Sequence, residues 1–203
     1  MAKVKRQTAP ASEATKERLV TAAVEVLSEA GIRSATIRNI ADAAGCNSAL
    51  ISYHYGSLNA LLLAALDASS NARLGRYSEV MAGARNLRQL RAAAKRLYRE
   101  DRATGHVRVL AEMMAAGLMD PGLGREVAAR VDPWISFLEE TIGRVLPGSV
   151  LRRRLPVREV AFGLAAMFLG MEILGTLAGD HQWADAVVDR LSRLEVATAA
   201  DGA

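Results

Sequence analysis

Residues 36–62, TIRNIADAAGCNSALISYHYGSLNALL, decide the fold. Thr36 is an N-cap candidate. Behind it Ile37, Ile40, Ala41 and Ala44 recur at helical spacing, and Gly45 ends the segment. A second short helix begins after Cys46 or Asn47, and another opens at Ser57, carrying Leu61, Leu62, Ala65 and Leu66. Two short helices joined by a tight turn form a helix-turn-helix pattern. Ile37, Ile40, Ala41, Leu50 and Ile51 are the expected wedge between them. Asn47, Ser48, Ala49, Ser52 and Tyr53 are left facing outward. These residues are small, polar or aromatic, so the second helix can approach a DNA major groove closely. Asn and Ser can bond base edges, and the Ala49 methyl can touch a thymine methyl.

The surrounding chain reads as helix throughout. Val and Ile never alternate with polar residues over a strand-length run, and no proline falls between Pro10 and Pro121. Upstream, a helix capped at Ser12 or Thr15 carries Leu19, Val20, Ala23, Val24 and Leu27 on one face and stops before Gly31. Downstream, helices are expected over about 85–102 and 106–119. The pairs Asp120-Pro121 and Asp132-Pro133 supply caps and N1 prolines for two more. Pro147-Gly148 closes the second of these. Pro156 precedes a long apolar helix that Gly179 ends, and a last helix carries Val187, Leu191 and Leu194. The apolar run 160–179 has the length of a membrane span. Glu172 inside it and Gly163, Gly170, Gly175 and Gly179 favour a buried helix in a bundle instead.

Composition agrees with a globular chain. Of 203 residues 51% are hydrophobic and 24% charged, with a formal net charge of +4 and a pI near 9.6. Lys3, Lys5 and Arg6 make the first residues a basic arm, readable as a DNA-contacting segment or as a solubilising terminus. Cys46 is the one cysteine, and no apolar leader is visible, which gives the expectation of a cytoplasmic protein.

Here the sequence resembles a known family. RLVTAAVEVLSEAG, from residue 18, followed by SATIRNIADAAGCNSALISYHYGSLNALL, is similar to the DNA-binding domain of the TetR family of transcriptional regulators. Tyr53, His54 and Tyr55 fall on that family's aromatic end of the recognition helix. The resemblance implies an all-α fold: an N-terminal three-helix helix-turn-helix domain plus a larger helical C-terminal domain. The expected division is a flexible basic arm at 1–14, the helix-turn-helix domain at 15–62 and a ligand-binding and dimerisation domain at 63–203. It implies a homodimeric repressor that binds a palindromic double-stranded operator and is released by a small-molecule effector. No cofactor is implied. The last two helices would pair as a four-helix bundle, with Leu164, Met167, Phe168, Met171, Leu174 and Leu191 as candidates. Two departures stand out: Ser52 where the family commonly has tyrosine, and Leu58 where it commonly has a phosphate-binding lysine. Backbone N–H groups after Ser57 can still hold a phosphate.

The expected DNA-contacting set is therefore Thr36, Arg38, Asn47, Ser48, Ala49, Ser52, Tyr53, His54 and Ser57. Tyr53 is expected to face DNA, Tyr55 to pack inward, and His54 fits either role. No nucleophile or acid partner can be placed beside His54, and no phosphate loop or nucleophile elbow is present, so an enzyme is not expected. His54, His106 and His181 are too scattered for a metal site. Nothing cationic adjoins Cys46, which reads as a turn residue. Arg85, Arg88, Arg91, Lys95, Arg96, Arg99 and Arg102 form a basic run, read as a solvated face rather than an anion site. A charged loop is expected at 152–154. For an apolar effector cavity the candidates are Met113, Trp134, Phe137, Met167, Phe168 and Met171, with His106 and Glu112 adding polar specificity; ordinary core is the alternative for each. The alternatives for the whole chain are a helical small-molecule-binding protein or enzyme without a DNA role, and a membrane-associated protein resting on 160–179 alone.

Overall fold

Helix formers and helix stop signals shape the chain, and every element among the described residues is helical. The computed structural model describes residues 9–101, 106–145 and 156–193. In order these are α1 (Ala9–Ala30), a 3₁₀ turn (Ile32–Ser34), α2 (Ile37–Ala43), α3 (Ala49–Tyr55), α4 (Leu58–Ala82), α5 (Leu87–Asp101), α6 (His106–Met119), α7 (Pro121–Ala129), α8 (Asp132–Val145), α9 (Val157–Ala178) and α10 (Gln182–Arg193). The loop read at 152–154, Arg102, Leu194, Pro147-Gly148 and the basic arm through Arg6 lie outside the described residues.

The helices sort into two compact units, one running to Arg73 and including 105–132, the other made of 74–104 and the chain from Pro133. This differs from a linear division after residue 62. The reason is packing: α6 and α7 bring Val109, Met113, Leu123 and Val127 into one core with Leu19, Leu27, Ile40, Ile51 and Leu61. Each such side chain contributes about 1.5–3 kcal/mol when fully buried.

In the first unit α1 begins earlier than Ser12 or Thr15. The helix passes through Pro10, which is tolerated in a first turn, and the Thr15 hydroxyl instead donates to Ala11 O at 2.8 Å. Ile37 also departs from expectation. It sits in the first turn of α2 and stays 38% exposed, because periodicity sets a face while tertiary cover decides where burial begins. Ile40, Ala41 and Ile51 are buried, with Leu50 packed beside them. Asp120 caps α7 as expected, accepting from Gly122 N at 2.9 Å and Leu123 N at 3.2 Å. Arg130 forks onto Asp67 through Nε at 2.8 Å and Nη2 at 3.1 Å, tying the end of α7 to α4.

In the second unit Tyr77, Met81 and Leu97 are buried, with Trp134 and Phe137 against them. Part of the basic run is spoken for: Lys95 and Arg99 reach Asp189 of α10 at 2.8 and 3.3 Å, and Arg96 pairs with Glu100 at 3.7 Å. The Lys95 hydrogen bond, with the charges of Lys95, Arg99 and Arg193, holds the Asp189 carboxyl below its ordinary 3.8. A depressed carboxylate adds stability above its unfolded pKa and loses it as pH falls through the folded value. The α5–α10 contact is therefore expected to loosen below about pH 4. Asp189→Asn should flatten that part of an acid titration followed by circular dichroism. An unchanged profile would count against the pairing.

α9 ends at Gly179, whose φ of 65° is left-handed, and Asp180 N donates back to Gly175 O at 3.1 Å. The His181 ring packs directly on Gly175, leaving no room for a Cβ there. Ala161, Glu172 and Gly175 form the buried face of α9. By length and composition α9 could also cross a membrane.

Candidate nucleic-acid interface

The candidate surface is built from α2, α3 and the start of α4. Thr36 caps α2, its hydroxyl oxygen accepting from Asn39 N at 3.2 Å. Gly45, at φ 60°, reverses the chain, and Cys46 N closes the turn on Ala41 O at 2.9 Å. Asn47 stands just before α3, its side-chain oxygen accepting from Ala49 N at 2.8 Å. That bond leaves the Asn47 amide N–H groups as donors.

With Ile51 fully buried, Asn47, Ser48, Ala49 and Ser52 lie exposed, and Tyr53 is 76% exposed. The Tyr53 ring meets His54 edge-on at 4.8 Å. His54 is half-buried, with Nε2 inside. Tyr55 turns the other way and donates to Lys16 O at 3.1 Å, pinning α3 to α1. Burial, then the charge of Glu13, push the Tyr55 phenol up from its ordinary pKa. Gly56, at φ 77°, ends α3, and α4 leaves at 69° to it. Ser57 caps α4 by accepting from Ala60 N at 3.1 Å. Leu58 packs on the core, consistent with an apolar residue replacing a lysine there. Arg38 is exposed and only loosely held by Asp42 at 3.8 Å, so it can swing toward an anion. Eight of the nine expected contact residues thus fall on α2, α3 or the N-cap positions of α2, α3 and α4, with Asn47 one residue before the α3 cap, although Thr36 and Ser57 already serve as caps.

The expected effector residues divide between the two units. Met113 is fully buried in the core of the first unit, packed among aliphatic side chains. Glu112, in the same unit, accepts from Ile32 N at 3.0 Å. Trp134 and Phe137 lie in the second unit with Tyr77, in edge-to-face contacts of 5.4 to 6.5 Å that fill the space between the rings. Phe168 is edge-on to Tyr98 at 6.1 Å, Met171 is half-buried, and Met167 is 37% exposed. The His106 side chain lies outside the described residues. A shallow cleft of about 290 Å³ opens instead along the end of α4 and α5, lined by Val80, Gly83, Ala84, Gln89, Ala92, Ala93 and Arg96. Sequence reading placed Arg96 in the basic run but missed the other six, none of which is chemically distinctive. It also missed Asn39, which donates to Ser34 O at 2.9 Å.

Comparison with known proteins bears on this surface. The family model described as bacterial regulatory proteins, tetR family, matches residues 19–65, the stretch just described. The HTH-type transcriptional regulator BetI of Stenotrophomonas maltophilia is 30% identical over 168 residues, covering 81% of this chain and 82% of that protein. Two solved structures share the fold. A TetR-family transcriptional regulator from Cytophaga hutchinsonii superposes with a TM-score of 0.75 at 13% identity, over 93% of this chain and 95% of that one. The fatty acid degradation regulator FadR from Bacillus halodurans superposes with a TM-score of 0.73 at 14% identity, over 94% and 96%.

Proposed function

Because the chain belongs to the tetR family of bacterial regulatory proteins, and so is a transcriptional regulator, we propose that it is a cytoplasmic, non-enzymatic repressor that binds a palindromic operator as a homodimer and is released by a small-molecule effector. The observation that carries this reading is the split of α3: Ile51 is fully buried while Asn47, Ser48, Ala49, Ser52 and Tyr53 are all exposed. The exposed Tyr53 phenol is free to donate to a phosphate oxygen. Arg38, His54 and the N–H groups behind Ser57 would add backbone contacts, and Thr36 would orient α2 on the phosphates.

A dimer is supported by α9. Gly163, Met167, Gly170, Leu174 and Leu177 recur at i, i+4, i+7, i+11 and i+14, opposite the buried face. Leu174 and Leu177 are 67% and 78% exposed, and nothing lies within 4 Å of where a Cβ would stand at Gly163 or Gly170. A partner helix can approach closely along such a seam. On α10 Trp183, Val187 and Leu191 are also exposed. Pairing through α9 and α10 would present two α3 helices to half-sites about one turn (~34 Å) or a multiple apart. The effector would be largely apolar and would bind in the second unit, near the Tyr77, Trp134 and Phe137 cluster, where small shifts of the rings could open space.

The test is retardation of the DNA upstream of the gene, titrated against salt. A steep fall of log affinity with log salt is expected, and absence of specific retardation by folded dimer sinks the reading. Tyr53→Ala should weaken all duplexes by about tenfold, whereas Asn47→Ala should relax base preference. If neither variant changes binding, α3 is not the reading helix. Recovery of untagged protein without detergent is expected; membrane-bound recovery would favour α9 as a span.

A further inference from the structure

We infer, on the reading that α3 reads DNA, that Glu112 is a positioning residue for operator recognition: its carboxylate on α6 fixes the turn from which the helix-turn-helix is hung. Ile32 N donates to Glu112 Oε2 at 3.0 Å across 80 residues of chain. Gly31, with a φ of 77°, lies so close that a Cβ there would stand 2.9 Å from Glu112 Oε1. The carboxylate is thus seated on the glycine backbone, and Arg108, one turn earlier on α6, reaches its other oxygen at 3.9 Å.

Glycine at this point has many backbone conformations open to it. Something outside the turn must select one, and no other side chain makes a hydrogen bond to Ile32 N among the described contacts. Beyond Ile32 the turn is closed by its own hydrogen bonds. Ser34 N donates to Gly31 O and Ala35 N to Ile32 O, each at 3.1 Å. Asn39 then reaches back from α2 to Ser34 O at 2.9 Å, while its backbone N–H meets the Thr36 cap. An unbroken run of hydrogen bonds therefore leads from α6 to α2, and α2 carries α3 through Ile40 and Ile51. The described contacts of Glu112 are with Gly31, Ile32 and Arg108, none of them in the expected DNA-contacting set, so it acts through the angle at which α2 and α3 leave α1.

The test uses full-length protein and two probes: the tightest duplex that wild type recovers from a randomised pool, and a scrambled duplex of equal length. Glu112→Leu removes the acceptor and leaves a shorter apolar side chain; Glu112→Gln keeps the length and an acceptor oxygen. The Leu variant should bind the selected duplex about tenfold more weakly and the scrambled one as wild type does, with Gln within about twofold of wild type. In the free protein the Ile32 amide should be protected from hydrogen exchange in wild type and Gln, and exchange at least about tenfold faster in Leu. Equal binding by Leu and wild type overturns the inference. So does parallel loss on both duplexes, a Gln variant as weak as Leu, or an unprotected Ile32 amide in wild type, which needs no variant to fold. If wild type recovers no duplex at all, it is the DNA-binding reading that falls, and this inference with it.

Discussion

Leu174→Asp is expected to leave the protein folded but monomeric, and to lower its affinity for a two-half-site duplex by about two to four orders of magnitude. The side chain is 67% exposed in the single chain, so a carboxylate there meets water and costs the monomer little. In a dimer joined along α9 the same position is covered twice, once from each copy. Two like charges would then be stripped of water against Met167, Leu177 and the bare backbone at Gly170, with no cation on the seam to pair them. The helices would not close. Each α3 would still fit one half-site, but the second contact would no longer be intramolecular, and the gain from linking two weak sites would be lost. Sedimentation or light scattering gives the mass, and titration of a duplex carrying one half-site separates the two effects. If Leu174→Asp stays dimeric, the seam is not the interface.

Gly124→Val should lower the melting temperature by about 6–12 °C, corresponding to about 3 kcal/mol for a chain of this size. A Cβ at Gly124 would lie 2.6 Å from Gly117 O, and one at Gly117 would lie 2.8 Å from Gly124 Cα. Backbone faces backbone, so no side chain can rotate aside and α6 and α7 must part. That uncovers Met113, Leu123 and Val127, which belong to the core under α2 and α3. DNA binding should fall with the folded fraction. Gly75→Ala is the control: it lies within α4 with nothing within 4 Å of a new Cβ, and should be neutral or stabilising by up to about 1 kcal/mol. Equal melting temperatures for the two variants would remove the close approach as a determinant of stability.

Much of this was legible without coordinates. The bounds of α6, the Thr36 cap, the reversal at Gly45 and the Asp120 cap all follow from residue types acting on backbone groups within four positions. The alternation of Ile51 with exposed Ser52 and Tyr53 follows from helical period. For the expected effector residues the same reasoning leaves cavity and core both open. Large apolar side chains look alike whether they line a cavity or fill a core. Met113 went to the core beneath α2 and α3, while Trp134 and Phe137 closed on Tyr77.

Glu112 marks the boundary most clearly. By sequence it is a polar residue on an apolar helix, as fit for a ligand as for anything else. Only the packing of α6 on α1 and the 3₁₀ turn brings it to Ile32 N, across 80 residues. Local chemistry determined which segments are helices, where they stop, and which face of α3 looks outward. Tertiary structure decided which helices share a core, which glycines are pressed against backbone, and which apolar stripe of α9 is left uncovered. Capping and period are set by forces that act over a few residues; the meeting of distant helices depends on summed packing that no local window contains.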